Sequence, residues 1–586
     1  MRLINVNAFL ERERLIREGK RVDRRAKVLE FGDDEVAEYA ILSHRWTEQE
    51  VDYTEVVKLA KMDEEERSEI RQRDGYRKIL QSCEQARKDG YEWLWVDTCC
   101  IDKRSSAELS EAINSMYRWY ENSRVCYAYL HDVSSSSFPT APNYERNVKS
   151  NGWPEWFSRG WTLQEMIAPM DLQFFNRDWH PIGDKRTLSP ILEDITRVPR
   201  HILEGLSTNR PCVAQIMSWA ANRTTTRVED KAYSLMGLLD VNMPMLYGEG
   251  KKAFHRLQLE IIRTSNDHSI FAWCFKSMGR TGSVLADSPS CFWDCNKMEL
   301  MDHDEFIESL RRDYPKEKLP SIEDDRLNTF PTTNRGIQIW LFLHPLVGSD
   351  SVFRAWLPCR PYPSNPPVAI NLTCWESNYY RFAAYMRLEW GPRPQLRHVY
   401  LRYQDTPHCN STFEIDDSAI HKEGFTCLAT CLGNLITGNT VTLSQVPDPL
   451  CVKRYSCRQE YQFTVGFGQC FGQNWIHVTC EEPDSPLLGS SYYRSMLARA
   501  SEHAQSMKKA HSGAARCQVY ISQTRLPRST WILQTSCVMW KSSRMCRVKL
   551  EVFRDPSFGN VSGEWTGFVV DVSKSFFVHA HYYHWH

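Results

Sequence analysis

The sequence predicts an α/β domain on a mostly parallel sheet, an all-helical extension after it, and a separate β-rich, sandwich-like C-terminal domain. Three observations carry this. Four compact apolar runs, near residues 38–43, 92–96, 125–130 and 171–175, alternate with stretches of helical periodicity. Such alternation implies parallel strand pairing with helices on both faces. Residues 187–266 carry only amphipathic helical stripes, and from Arg335 short apolar strands alternate with Pro, Gly, Asn and Asp turns.

Composition narrows the function classes. A chain of 586 residues holds several domains. A net charge of -1 and a pI near 7.0 give no global basic field, which disfavours nucleic acid and anionic lipid as partners. No window of 18 apolar residues suggests a membrane span. The start, Met1-Arg2-Leu3-Ile4-Asn5-Val6, lacks the apolar run of a signal peptide. A cytoplasmic location is therefore expected, with the 20 cysteines as reduced thiols. The 20 tryptophans suit stacked cores or a flat-ring ligand.

In chain order, residues 1–35 open with a short strand-like stretch and continue as a charged helix or arm. Residues 38–43 read as a buried strand ending in the polar tip His44-Arg45-Trp46. Residues 48–66 are too charged to assign. Tyr76, Ile79, Leu80, Cys83 and Ala86 stripe a helix that Gly90 stops. A second strand, Glu92-Trp93-Leu94-Trp95-Val96, ends in Asp97-Thr98-Cys99-Cys100-Ile101-Asp102-Lys103. Ser105 and Glu108 form a capping-box pattern before a helix bearing Leu109, Ile113, Met116, Tyr117 and Tyr120. The third strand ends at His131-Asp132, and residues 134–150 read as a long loop.

Residues 156–169 then predict one compact helix, with Gly160 breaking its entry and Pro169 stopping it. Phe157, Trp161, Gln164 and Ala168 share a face, and Trp161 neighbours Glu165. The domain is expected to span 1–275, with 187–266 its helical extension. Residues 276–334 read as a linker and 335–586 as the β-rich domain. Within it, strands are expected near 336–343, 352–357, 368–374, 399–403, 461–467, 475–480, 531–540, 547–553 and 567–572, with one helix near 492–511.

Ligands of parallel sheets bind at the carboxyl ends of the strands. The polar clusters Ser43 to Trp46, Asp97 to Lys103 and His131-Asp132 lie there, and Glu165 enters from the following helix. Glu165 sits among Leu163, Met166 and Ile167, where a carboxylate is costly unless paired or used. On helix statistics alone, a cap or a salt bridge to a neighbour is the commoner role for such a residue. Arg45 could pair with Asp97 or Asp102, or contact a ligand. His44 could simply cap its strand. Cys99 and Cys100 read as buried small hydrophobes, and a Cys99–His44 thiol hydrolase is the second enzyme reading. No metal is expected at the site. The alternate histidines of His579-Ala580-His581-Tyr582-Tyr583-His584-Trp585-His586 read as a frayed terminal strand.

These residues resemble the fungal heterokaryon-incompatibility (HET) domain. The matching stretches are Tyr39-Ala40-Ile41-Leu42-Ser43-His44-Arg45-Trp46, Trp95-Val96-Asp97-Thr98-Cys99-Cys100-Ile101-Asp102-Lys103, Ala112-Ile113-Asn114-Ser115-Met116-Tyr117-Arg118-Trp119-Tyr120 and Arg159-Gly160-Trp161-Thr162-Leu163-Gln164-Glu165. Residues 217–220, 227–239 and 242–259 also match. The resemblance implies a flavodoxin-like sheet related to TIR domains, many of which hydrolyse NAD. It puts the catalytic glutamate at Glu165, behind Trp161. It also implies a nucleotide pocket formed by Ser43, His44, Arg45, Trp46, Asp97, Cys99, Asp102, Lys103 and Trp161. NAD or NADP would be substrate, with no resident cofactor. Self-association through this domain and an unknown protein partner for the C-terminal domain are implied as well. A non-catalytic, self-associating adaptor is the rival reading. Incompatibility proteins often add a nucleotide-binding oligomerisation module. This chain has no Gly-x-x-x-x-Gly-Lys-Ser/Thr, and Gly248-Glu249-Gly250-Lys251-Lys252 lacks the spacing.

Overall fold

The computed structural model describes all residues except 21, 23–26, 207–209, 275–280, 314–328, 348, 350, 383–390, 392, 405–410, 432–434, 438–439, 444–449, 458–460, 472, 482–495, 497–498, 511–516, 527–528, 530, 541–544, 555–564 and 572–586. The chain divides into two compact units. The first is Met1–Cys274 with Leu285–Phe306 and Pro358–Val368, and the second is Phe275–Val284, Ile307–Leu357 and Ala369–His586. Part of the stretch expected as linker, Leu285–Phe306, thus packs into the first unit.

The first unit begins with β1 (Arg2–Asn5), α1 (Val6–Arg17) and β2 (Leu29–Phe31). β3 (Tyr39–His44) follows, then α2 (Tyr53–Lys58), α3 (Glu64–Gln72), α4 (Asp74–Lys88) and β4 (Trp93–Trp95). α5 (Ser106–Glu121), β5 (Val125–Tyr129), α6 (Thr162–Ile167), β6 (Leu172–Phe175) and β7 (Pro181–Asp184) complete the sheet layer. The strand order is β2-β1-β4-β3-β5-β6-β7. β4, β3, β5 and β6 are mutually parallel, while β1, β2 and β7 add antiparallel edges. β3 is buried along its whole length, which explains its unbroken apolar run.

The order β4-β3-β5 sets the layers. The chain leaves β3 toward β4 on one side, then crosses back over β3 to β5. Right-handed crossovers in opposite directions place α4 and α5 on opposite faces. Accordingly α1 packs on α4, and α5 on α6. The direction reverses beside β3, so a crevice opens at the carboxyl ends of β3 and β5.

Local chemistry ends the elements. α4 stops where Gly90 takes φ +88°, and the Tyr91 N–H reaches back to the Ala86 carbonyl at 2.8 Å. Ser105 caps α5 by accepting from the Glu108 N–H at 3.3 Å. Only half of the expected capping box forms, because Glu108 accepts from the Asp102 N–H instead, at 2.9 Å.

The stretch expected as one helix from 156 to 169 is two pieces. A 3₁₀ turn at Glu155–Ser158 is followed by α6, so Phe157 lies off the helix. Between them Arg159 forms a parallel bridge with Thr224. A Cβ on Gly160 would lie 2.6 Å from Thr225 Cγ2, so this crossing needs glycine. A buried aromatic group of Phe138, Trp156, Phe157 and Phe174 fills the space beneath.

After β7 the first unit is helical, including Ser189–Thr196, Val213–Trp219 and Lys252–Thr264. The Lys252–Thr264 helix turns Ala253, Phe254, Leu257, Ile261 and Ile262 inward. No helix among the described residues is long and apolar enough to cross a membrane.

The second unit is β-rich. One sheet runs from Thr332–Thr333 to Gln395–Leu401. A second contains Ser411–Asp416, Cys517–Arg525, Trp531–Trp540, Met545–Arg554 and Trp565–Asp571. A third joins Phe425–Cys431, Leu450–Cys457, Gln462–Cys470 and Gln473–Glu481. The second and third share one core with the helix Ala500–Ala510, including Phe413, Phe463, Phe467, Trp475 and Leu533. Of the expected helix near 492–511, residues 492–495, 497–498 and 511 lie outside the described residues, as does the histidine-rich end.

Trp475 lies directly opposite Gly468 in the third sheet. A Cβ on Gly468 would meet its Cζ2 at 2.3 Å. Gly468→Ala is expected to destabilise the second unit by about 1–3 kcal/mol through overpacking, read by chemical denaturation.

Candidate functional site

The crevice is a cleft of about 520 Å³. Its walls carry His44 at the end of β3 with Arg45 and Trp46 after it, Asp97 and Lys103 after β4, and Arg159, Trp161 and Glu165 around α6. Thr224 to Arg227, Asp230 and Tyr247, from the helical extension, close the opposite side.

Glu165 is 6% exposed. Ser43 Oγ donates to its Oε2 at 2.5 Å and accepts from Trp156 Nε1 at 2.9 Å. Ser43 has one proton, so the indole on its other side fixes that proton's direction toward the carboxylate. Burial, then the negative charge of Asp97, raise the Glu165 pKa to about 7. The Ser43 hydrogen bond, Arg159 and Tyr120 pull the other way. Lys185 Nζ anchors the far end of α6 on the carbonyls of Ile167, at 3.3 Å, and Pro169. A cation there suits a helix C-terminus.

The neighbours form a second polar layer. Trp46 Nε1 donates to Asp97 Oδ2 at 2.6 Å. Lys103 Nζ lies 3.7 Å from the centre of the Trp46 ring, a cation–π contact. Burial lowers the Lys103 pKa, and Asp97 opposes that. His44 is buried, with Nε2 3.6 Å from Glu50 and Nδ1 3.8 Å from Asp97. Burial, then Lys78, lower its pKa, which favours the neutral ring. Lys78 pairs with Glu50, and the Thr47 N–H donates to Glu50 at 2.6 Å, so the turn carrying Trp46 is pinned from behind.

Several expected residues stand elsewhere. Arg45 pairs with Glu155, not with Asp97 or Asp102. The backbone break after residue 158 brings Glu155 alongside, which spacing alone does not reveal. Asp102 does not line the cleft. It is forked by Arg104, two residues on, at 2.8 Å, and this hydrogen bond holds its pKa at about 2. Cys99 does not line it either. Its thiol is buried, and a hydrogen bond with Cys100 and burial push its pKa up. With the His44 ring facing Glu50 and Asp97, the geometry gives no Cys99–His44 dyad. Ser43 reaches the cleft only through Glu165. His131 braces Glu155, 3.8 Å away, instead of facing the cavity.

Sequence reasoning missed Arg159, Arg227, Asp230 and Tyr247 as wall residues. Arg227 stacks 4.3 Å from the Tyr247 ring centre, and Tyr247 donates to Asp230 at 3.0 Å. Trp161 also hydrogen-bonds Asp230. The signal was present in Arg223-Thr224-Thr225-Thr226-Arg227, a polar run between helical stripes.

Fold and site together define an α/β unit with one buried acid under a cleft walled by aromatic and basic side chains. Residues 39–154 match the family model described as heterokaryon incompatibility protein (HET). That match covers β3 to β5 and ends before α6, so Glu165 lies beyond it. Over 228 residues the chain is 44% identical to vegetative incompatibility protein HET-E-1 of Podospora anserina. This covers 38% of the present chain and 16% of that protein. Two crystal structures of the Xerocomus chrysenteron lectin XCL, wild type and a mutant, align with 25% of this chain and 100% of theirs. Identities are 12% and 11% and TM-scores 0.17 and 0.20, too low to carry a fold argument.

Proposed function

We propose that the first unit is a TIR-like NAD(P) glycohydrolase acting in an incompatibility-type cell-death response. The observation that carries this is the Glu165 carboxylate, buried beneath the cleft and held by Ser43, with its pKa raised to about 7. Cleaving the nicotinamide–ribose bond develops oxocarbenium charge on the ribose. A desolvated carboxylate stabilises that charge best where water is excluded. Nicotinamide leaves with the bonding pair as a neutral group, and water adds to the ribose carbon and loses a proton. Trp46 and Trp161 offer flat faces for the rings, and Lys103, Arg159 and Arg227 offer cations for the pyrophosphate. The 520 Å³ volume suits a dinucleotide held partly outside.

The test is nicotinamide release by the purified chain with NAD and with NADP, beside Glu165→Gln. Release by the wild type alone supports the reading. No release by the full chain favours a non-catalytic, self-associating module. Trp46→Ala is expected to raise KM about tenfold with little change in kcat, because ring stacking stabilises bound substrate and transition state alike.

A further inference from the structure

Hydrolysis at the ribose carbon needs a second group, because the attacking water must lose a proton while Glu165 stays charged beneath the cation. Three carboxylates line the cleft among the described residues, Glu165, Asp97 and Asp230. Asp230 already accepts from Tyr247 at 3.0 Å and from Trp161. Asp97 accepts one hydrogen bond among the described residues, from Trp46 Nε1 to Oδ2 at 2.6 Å. A carboxylate has acceptor capacity for more.

The Asp97 side chain is 19% exposed, while its Oδ1 is enclosed, 3.8 Å from His44 Nδ1. The open part of the group is therefore the Oδ2 side, where exposed Trp46 stands. In the sheet, β3 lies between β4 and β5. Ser43 holds Glu165 over β3, and Asp97 follows β4. Neighbouring strands lie about 5 Å apart, which sets the two carboxylates roughly 5–10 Å from each other. Carboxylate pairs that activate a water across a sugar ring stand about 6.5–9.5 Å apart, with room for the water between them. The two groups also feel each other. After burial, the charge of Asp97 is the largest cause of the raised Glu165 pKa. Two carboxylates that face one cleft from unlike surroundings can take separate roles.

We propose that Asp97 is a second catalytic residue, the general base that takes the proton of the attacking water. This rests on the glycohydrolase reading. Nicotinamide leaves the ribose carbon with the bonding pair, and the water oxygen bonds to that carbon. The water proton passes to Asp97 Oδ2 and from there to solvent.

The partition between two nucleophiles tests this. 3-Acetylpyridine replaces nicotinamide at the ribose carbon through its ring nitrogen, with no proton to remove, whereas water needs the base. The full chain is given NAD and 3-acetylpyridine together, and chromatography follows ADP-ribose and the exchanged dinucleotide in the same sample. Any loss of folded protein then cancels in their ratio. Asp97→Asn is isosteric and still accepts from Trp46. It is expected to lower the ratio of hydrolysis to exchange about a hundredfold. A ratio near the wild-type value overturns the proposal, and so does loss of both products. A wild type that forms neither product fails the glycohydrolase reading and this proposal together. An active wild type whose ratio the variant leaves unchanged fails this proposal alone.

Discussion

Glu165→Gln is expected to reduce nicotinamide release by about three orders of magnitude, with an unchanged circular dichroism spectrum. Gln is isosteric and still accepts from Ser43 Oγ, so the pocket keeps its shape. What it loses is the negative charge that the oxocarbenium needs. The wild type adds a second readout. Only ionised Glu165 serves, and its pKa lies at about 7. The rate should therefore rise with pH through neutrality and level above it. A variant retaining more than a tenth of the wild-type rate would remove Glu165 from the chemistry.

The parallel strands could be read from sequence because β3 and β5 are buried on both faces, and such strands have unbroken apolar runs. Glu165 stood out for a related reason, as an acid among Leu163, Met166 and Ile167. The rest of the site depends on non-local pairing. Arg45 meets Glu155 only because residue 159 breaks out of helix to pair with Thr224. Arg227, Asp230 and Tyr247 join the cleft wall from segments whose helical stripes suggested only a helical extension. Asp102 lay within a promising motif, yet Arg104 lies two residues away and captures it. In the second unit, Leu450–Cys457 includes Lys453 and Arg454, which hid a strand that the core nevertheless buries.

The same substitution should have the opposite sign on stability. The Glu165 pKa rises from the ordinary 4.5 in the unfolded chain to about 7 in the fold. For a raised folded-state value, the stabilising contribution is complete below 4.5 and is lost as pH climbs through 7. Above neutrality the fold carries a desolvated charge that the unfolded chain holds in water. Gln carries no charge at any pH. The stability advantage of Glu165→Gln should therefore grow between pH 4.5 and 7 and then flatten, reaching about 3 kcal/mol relative to its acid value. Thermal melts of both proteins from pH 4.5 to 8.5 read this as a widening gap in apparent Tm of several degrees. A difference that stays flat with pH sinks the claim. The sign also separates the two readings of this residue. A glutamate that merely capped a helix or closed an ion pair would have a lowered pKa, and removing its charge would destabilise the protein at neutral pH. A gain in stability together with a loss of turnover marks a carboxylate held in an unfavourable place because the reaction needs it there.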